Sequence, residues 1–281
     1  MRLGVMFDRD LPPEQLVPFA RELDRTTVDD LWVVEDLGWT GAISSAATAL
    51  AVTSRIRVGI GITPAPLRNP ALLAMELANL ARLHPGRLAA GIGHGVQQWM
   101  RQVGAAAASP LALLEETITA VGALLRGETV TLHGREVRLD GVSLVHPPAE
   151  PPPILAGVLG PRSLALSGRV AQGTIVPEGL GPTQLPEIIE HIGAGPGHEL
   201  VTFTYLYIGD DAAEVTRPAA EEQGRFLQVE PEQVVMATGS AKEAAEQVRS
   251  LWSAGAGTVA ARPIGSDPLS HVTKLLAALQ S

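Results

Sequence analysis

Three short stretches carry the side chains best suited to chemistry. Glu35 and Asp36 close the apolar run LWVV, His94 stands between two glycines in GIGHG, and Gly157-Val158-Leu159-Gly160-Pro161 follows the run ILA. Carboxyl and imidazole groups are common general acids and bases, so Asp36, His94 and Glu35 are the catalytic candidates. Neighbouring residues on an extended chain point to opposite faces, so at most one of the two acids faces a substrate directly. The glycine turn runs straight into a helical pattern at Pro161. Its amides and the positive end of that helix suit a phosphate, although a plain strand-to-helix turn also uses glycine. Gly61, Ile62 and Thr63 in GIGIT, Gly93 in GIGHG and Glu178 in VPEG lie in comparable turns and complete the expected ligand contacts.

Other chemistries fall away. With no cysteine there is no thiolate nucleophile, disulfide or Cys-bound metal centre. The seven histidines are scattered and show no short carboxylate–histidine spacing, so no metal is expected. Lys242 and Lys274, the only lysines, fall within helical patterns. That argues against a lyase or isomerase working through a strand-end lysine.

These turns need a scaffold that brings strand ends together. Eight apolar runs serve as strands: Leu3 to Phe7, Leu31 to Val34, Ile56 to Ile60, Leu88 to Ile92, Ile154 to Ala156, Thr174 to Val176, Val201 to Ile208 and Thr258 to Ala261. Helical patterns separate them. Asn69 and Pro70 read as an N-cap and first helical residue, and Ser240 and Glu243 have capping-box spacing. The stretch Asp211 to Leu227 reads as helix broken at Pro218. Thr129 to Leu139 alternates like a hairpin and stands outside the main alternation. Eight strands alternating with helices predict an α/β fold, a (β/α)8 TIM barrel with a small β-hairpin insertion, over a single domain spanning 1–281. An open doubly wound sheet is the rival, but it does not require eight strands. In a barrel the active site lies at the C-terminal strand ends, where all the candidates stand.

Hydrophobic residues make up 46% of the 281 residues and charged residues 18%, which describes a packed globular chain. A net charge of −9 without a basic cluster argues against nucleic acid or an acidic membrane surface as partner. No signal peptide or membrane span is legible, which leads to the expectation of a cytoplasmic protein acting on a small molecule.

Five segments then align in order: LWVVEDLGW, ATALAVTSRIRVGIGITPAPLRNP, LHPGRLAAGIGHGVQQWMRQVG, ILAGVLGPRSLALSGRVAQGT and GSAKEAAEQVRSLWSAGAGTVAARPIG. Together the chain resembles the luciferase-like flavin-dependent oxidoreductases, particularly the deazaflavin F420-dependent branch that includes methylenetetrahydromethanopterin reductases. The resemblance implies a (β/α)8 barrel holding coenzyme F420, or alternatively FMN, at the strand C-termini. It implies a non-prolyl cis bond at Gly61–Ile62 supporting the ring, and a phosphate at Gly157 to Pro161. It places acid–base and substrate positions at Glu35–Asp36 and His94. The implied reaction is hydride transfer between F420 and a small organic substrate. The alternatives are an FMN-dependent monooxygenase and a non-catalytic flavin-binding barrel. Many relatives carry histidine directly after the acid ending the second strand; here Leu37 stands there, which turns attention to His94 or Asp36 as proton donor. Family members are often dimers, and Ala-rich helices at Ile43 to Thr53 and Leu73 to Leu83 offer a homodimer surface.

Overall fold

Short runs that are apolar on both faces become parallel strands, one face toward a lumen and the other toward helices. The computed structural model describes all 281 residues. Its strands are β1 (Arg2–Met6), β2 (Asp30–Val33), β3 (Arg57–Pro64), β4 (Leu88–Gly93), β5 (Val130–His133), β6 (Arg138–Val142), β7 (Ile154–Gly157), β8 (Gly173–Val176), β9 (Glu199–Ile208), β10 (Ala237–Gly239) and β11 (Thr258–Pro263). The helices are α1 (Leu16–Asp24), α2 (Ala42–Val52), α3 (Pro70–Leu83), α4 (Gln97–Gln102), α5 (Pro110–Leu125), α6 (Pro161–Val170), α7 (Leu185–Ile192), α8 (Ala212–Leu227), α9 (Ala241–Ser253) and α10 (Pro268–Gln280). Strands pair in parallel in the order β9-β11-β1-β2-β3-β4-β7-β8, and β8 pairs back to β9. That closure makes an eight-stranded (β/α)8 barrel. β5 and β6 form a separate antiparallel hairpin at the expected insertion. No helix is long and apolar enough to cross a membrane.

Two features depart from the sequence expectation. β9 is ten residues long and outruns β8; its Leu206–Ile208 end pairs with an additional strand, β10, on the edge that β8 leaves open. α8 runs unbroken through Pro218. Pro218 and Glu214, whose carbonyl loses its intrahelical partner, are both exposed, so that carbonyl is not buried without a partner.

The lumen explains the abundance of small residues on the strands. Its filling is Met6, Trp32, Ala89, Leu155, Ile175, Val201, Phe203 and Ala260. Trp32 is fully buried, and a Cβ on Gly59 would stand 2.4 Å from its ring, one on Gly4 2.7 Å. Phe203 meets Trp32 edge-on at 5.5 Å and reaches across the lumen to Gly61, where a Cβ would stand 2.5 Å from Phe203 Cζ. Two large rings from β2 and β9 are thus accommodated by glycine on β1 and β3. Beneath them Arg57 bridges Asp30 and Glu199 at 2.7 Å each, and Arg2 joins Asp30 at 2.5 Å. This closes the N-terminal end with paired charges. The outer core lies between strands and helices. The helix starts are fixed as their sequences direct: Asn69 accepts from Ala71 N, and Ser240 and Glu243 cap α9 reciprocally. Such caps contribute about 1 kcal/mol each.

Candidate active site

The barrel mouth is assembled from the inward series of each strand, continued one step past the lumen filling. At the end of β3 the register against β4 slips between Ile60 and Thr63. This bulge brings both Gly61 and Ile62 to the lumen side. It also turns Thr63 outward: Thr63 pairs with Ile92, which belongs to the outer core, and its hydroxyl is sealed from solvent without a partner. The slip in register thus places the Thr63 side chain, one of the expected ligand-contact residues, on the outer side of the strand, which leaves its backbone on the mouth side. The Gly61–Ile62 peptide bond is cis.

Ile62 forms a shelf at the mouth, and two expected ligand glycines make room for it. A Cβ on Gly157 would stand 2.4 Å from Ile62 Cγ2, and one on Gly93 3.0 Å from Ile62 Cδ1. Gly160 differs. A Cβ there would meet nothing within 4 Å, and φ is an ordinary −71°. The fold does not require glycine at 160, so its openness is available to something outside. Gly160 is the N-cap of α6 with Pro161 at the first helical position. Neither Leu159 N–H nor Gly160 N–H makes an intramolecular hydrogen bond, whereas Val158 is buried and its N–H donates to Ile175 O at 3.1 Å. The turn thus presents free amides at a helix N-terminus, where partial positive charge accumulates.

His94 lies beside this turn. Its Nε2 is 3.0 Å from Ser163 Oγ in the first turn of α6, and its Nδ1 is buried without a partner. Burial pushes the imidazole pKa below its ordinary value; the backbone of Pro110 acts less strongly in the opposite direction. The ring is neutral near pH 7.

The two adjacent acids separate as strand geometry requires. Glu35 turns into the wall, where both oxygens pair with Arg68, the Nη2–Oε2 contact being 2.9 Å, and Ala42 N donates to it at 2.9 Å. It holds the start of α2 and the β3–α3 connection together. Asp36 turns to the mouth and accepts from Arg9 Nη1 at 2.7 Å. Arg9 also pairs with Glu222 of α8 and lies 4.6 Å over the Trp39 ring. A cleft of about 440 Å³ opens beside Arg68 and Asn69, facing Arg138 of the hairpin.

Several mouth residues lay outside the sequence candidates. Arg262, at the end of β11, donates to Asp8 Oδ2 at 2.6 Å and to Glu178 Oε1 at 3.3 Å. Both acids are under one-tenth exposed. Burial would lower the Arg262 pKa, but Glu178 and Asp8 outweigh it and keep the guanidinium charged. Glu178 is thereby committed to Arg262, and its backbone carbonyl accepts from Gln223. Tyr205 pairs in register with Arg262, whose guanidinium lies 5.1 Å from the Tyr205 ring centroid. The signal for both was strand parity: Ala260 and Phe203 face the lumen, so Arg262 and Tyr205, two residues on, face the mouth. No cluster of three His, Asp or Glu side chains is arranged to hold a metal.

A closed parallel barrel with an apolar shelf, a bulged third strand and free amides at a helix start defines a (β/α)8 barrel with a candidate binding site at its C-terminal mouth. The model of the luciferase-like monooxygenase family matches residues 1–272, and the chain belongs to that family. It is 30% identical over 260 residues to an F420-dependent glucose-6-phosphate dehydrogenase of Nakamurella multipartita, covering 85% of this chain and 71% of that one. It is 26% identical over 195 residues to a 5,10-methylenetetrahydromethanopterin reductase of Methanolobus tindarius, covering 69% of this chain but 59% of the reductase. Among solved structures it superposes on an F420-dependent secondary alcohol dehydrogenase in complex with an F420-acetone adduct. There the TM-score is 0.84 at 18% identity, over 100% of this chain and 99% of that one.

Proposed function

We propose that this chain is an F420-dependent oxidoreductase, transferring a hydride between the deazaflavin and a small organic substrate within one barrel unit spanning residues 1–281. The observation that carries this reading is the pairing of an Ile62 shelf with the free amides of Leu159 and Gly160 at the start of α6. A flat ring needs an apolar support, and its phosphate-bearing tail needs unpaired donors; the two stand at one mouth. His94, with a buried Nδ1 lacking a partner, adds an unfilled polar contact between them. These residues fit the cofactor. Relatives named for F420 dependence support F420 over FMN.

In this reading Ile62, resting on Gly93 and Gly157, would hold the ring, and Leu159, Gly160 and the first turn of α6 would hold the phosphate. When bound, F420 supplies two-electron hydride chemistry. Arg9 holds Asp36 at the rim, and Arg262 holds Asp8 and Glu178, so the acids are fixed and charge-compensated around the substrate space. Neutral His94 is able to accept or share a proton with Ser163. A homodimer belongs to the same reading: α3 leaves Leu72, Met75 and Leu83 exposed on its outer side. Light scattering on the purified protein checks it.

The test is a fluorescence titration of the protein with F420 and, separately, with FMN. Saturable quenching with F420 and weaker or no response to FMN is the expected outcome. Absence of a response to F420 sinks the proposal.

A further inference from the structure

Tyr205 is 3% exposed and its hydroxyl makes no hydrogen bond within the protein. Yet that oxygen is not among the polar atoms sealed from solvent, so the small surface the residue keeps includes it. A buried phenol normally finds a partner. The position explains what this one faces. Phe203, the preceding inward residue on β9, spans the lumen to Gly61 on β3. The next inward residue is Tyr205, one layer higher, and the next group on β3 is the Ile62 shelf. The Tyr205 hydroxyl thus opens into the mouth across from the surface proposed to carry the ring. Arg262 shares that space. Its Nε serves Asp8 and its Nη1 serves Glu178, while Nη2 has no partner and also keeps solvent access.

We propose that Tyr205 is the proton donor to a substrate carbonyl oxygen, and that this chain reduces small ketones or aldehydes. Two unpaired donors, the Tyr205 hydroxyl and an N–H of the guanidinium that lies 5.1 Å from the Tyr205 ring centroid, share the mouth, where an oxygen acquiring negative charge would be stabilised. Hydride from the reduced cofactor adds to the carbonyl carbon, the C=O π pair moves onto oxygen, and that oxygen takes the phenolic proton. The cofactor is oxidised, the carbonyl becomes an alcohol, and the phenolate beside Arg262 recovers its proton from water. Burial, reinforced by the charge of Glu178, raises the Tyr205 pKa above its ordinary value, with Arg262 opposing; the donor is therefore loaded across the physiological range. This also supplies an acid in a chain that has Leu37 in place of histidine.

The inference rests on the F420 reading, and one set of measurements separates the two. Tyr205 and Tyr207 are the only tyrosines. With 13C at the ring Cζ, the full-length protein gives two signals, assigned with Tyr207→Phe. The Tyr205 signal should shift on adding F420, and the Tyr207 signal should not. Tyr205→Phe should bind F420 as tightly as the wild type, while kcat for F420H2-driven reduction of a panel of small ketones and aldehydes falls by about 100-fold or more. A wild type that fails to bind F420 removes both proposals. F420 binding with an unmoved Tyr205 signal, no carbonyl turnover by the wild type, or an unchanged kcat in Tyr205→Phe overturns this one and leaves the cofactor reading standing.

Discussion

Replacing Gly157 by alanine probes whether the shelf depends on the space this glycine leaves. The added Cβ would stand 2.4 Å from Ile62 Cγ2 and 3.3 Å from Ile62 Cβ and Cγ1. Carbon atoms rest about 3.5–4.0 Å apart, so Ile62 must retreat by about 1 Å. The room for that retreat lies toward Gly93, where the missing Cβ, which would stand 3.0 Å from Ile62 Cδ1 and Cγ1, leaves only the space of about one methyl group. Overpacking of this kind costs about 1–3 kcal/mol, and each kcal/mol lowers Tm by about 2–4 °C in a domain approaching this size. A shift of about 1 Å in the surface that aligns the reactants costs about 100-fold in rate. The assay is calorimetry together with F420 titration on Gly157→Ala, Ile62→Ala and the double variant. Ile62→Ala removes the atoms in collision, so the double variant should be more stable than the two single losses would add up to. A Gly157→Ala protein with wild-type Tm and affinity, or losses that simply add, would refute the reasoning.

Gly160→Ala should leave Tm unchanged and weaken F420 binding, since the Cβ enters open space in the fold but crowds an approaching phosphate; unchanged affinity would detach Gly160 from the cofactor. Arg57→Met leaves the fully buried Asp30 with only Arg2 and strips Glu199 of its guanidinium partner, leaving it the Thr258 hydroxyl, for a loss of about 3–5 kcal/mol in denaturant unfolding. Asp24 caps the α2–β3 connection: burial would raise its pKa, but the amides of Ser54, Ile56 and Arg55 and the Ser54 hydroxyl outweigh it and hold it at about 2. Its folded pKa is depressed, so its stabilisation is present above the unfolded value of 3.8 and is lost as pH falls toward 2. The stability gap between wild type and Asp24→Ala should narrow over that interval in acid titrations followed by circular dichroism. His94 acts with the same sign at higher pH: its folded pKa is lowered, so the unfolded chain takes the proton first as pH drops below 6.5. His94→Gln should lose less stability than wild type on acidification from pH 7.

The barrel was legible because a parallel strand must be apolar on both faces, and each of the eight runs, from Leu3 to Ala261, satisfies that in the primary sequence. β10 was not, because Ala237–Gly239 is short and gains its partner only where β9 outruns β8. Pro218 misled because the cost of proline depends on which side of the helix loses its bond. The glycines were legible as special but not as to why. Gly93 and Gly157 accommodate a side chain of this same protein, and only Gly160 is open on the ligand side. That distinction needs the position of Ile62, which the bulge sets and no local pattern announces. Arg262 and Tyr205 were recoverable from strand parity alone, had the inward series been continued past the apolar runs.

The arrangement of charge at the mouth narrows where proton chemistry resides. Asp8 and Glu178 are tied to Arg262, Asp36 to Arg9, and Glu35 to Arg68. Each of these carboxylates has an oxygen engaged by a guanidinium and is held in place by it. Three acids at the opening, with Glu35 in the wall behind it, therefore act as counter-ions that fix three guanidinium groups and the loops bearing them. Uncharged groups of the mouth with spare hydrogen-bonding capacity include His94, through Nδ1, and Tyr205, through its hydroxyl. They stand on opposite walls, one beside the α6 turn and one on β9 across from Ile62. A molecule seated between them meets a neutral imidazole on the side of the α6 turn and a protonated phenol on the other. The acid that the sequence leaves missing after Asp36 is thus to be sought among the uncharged side chains of the mouth, and not among its carboxylates.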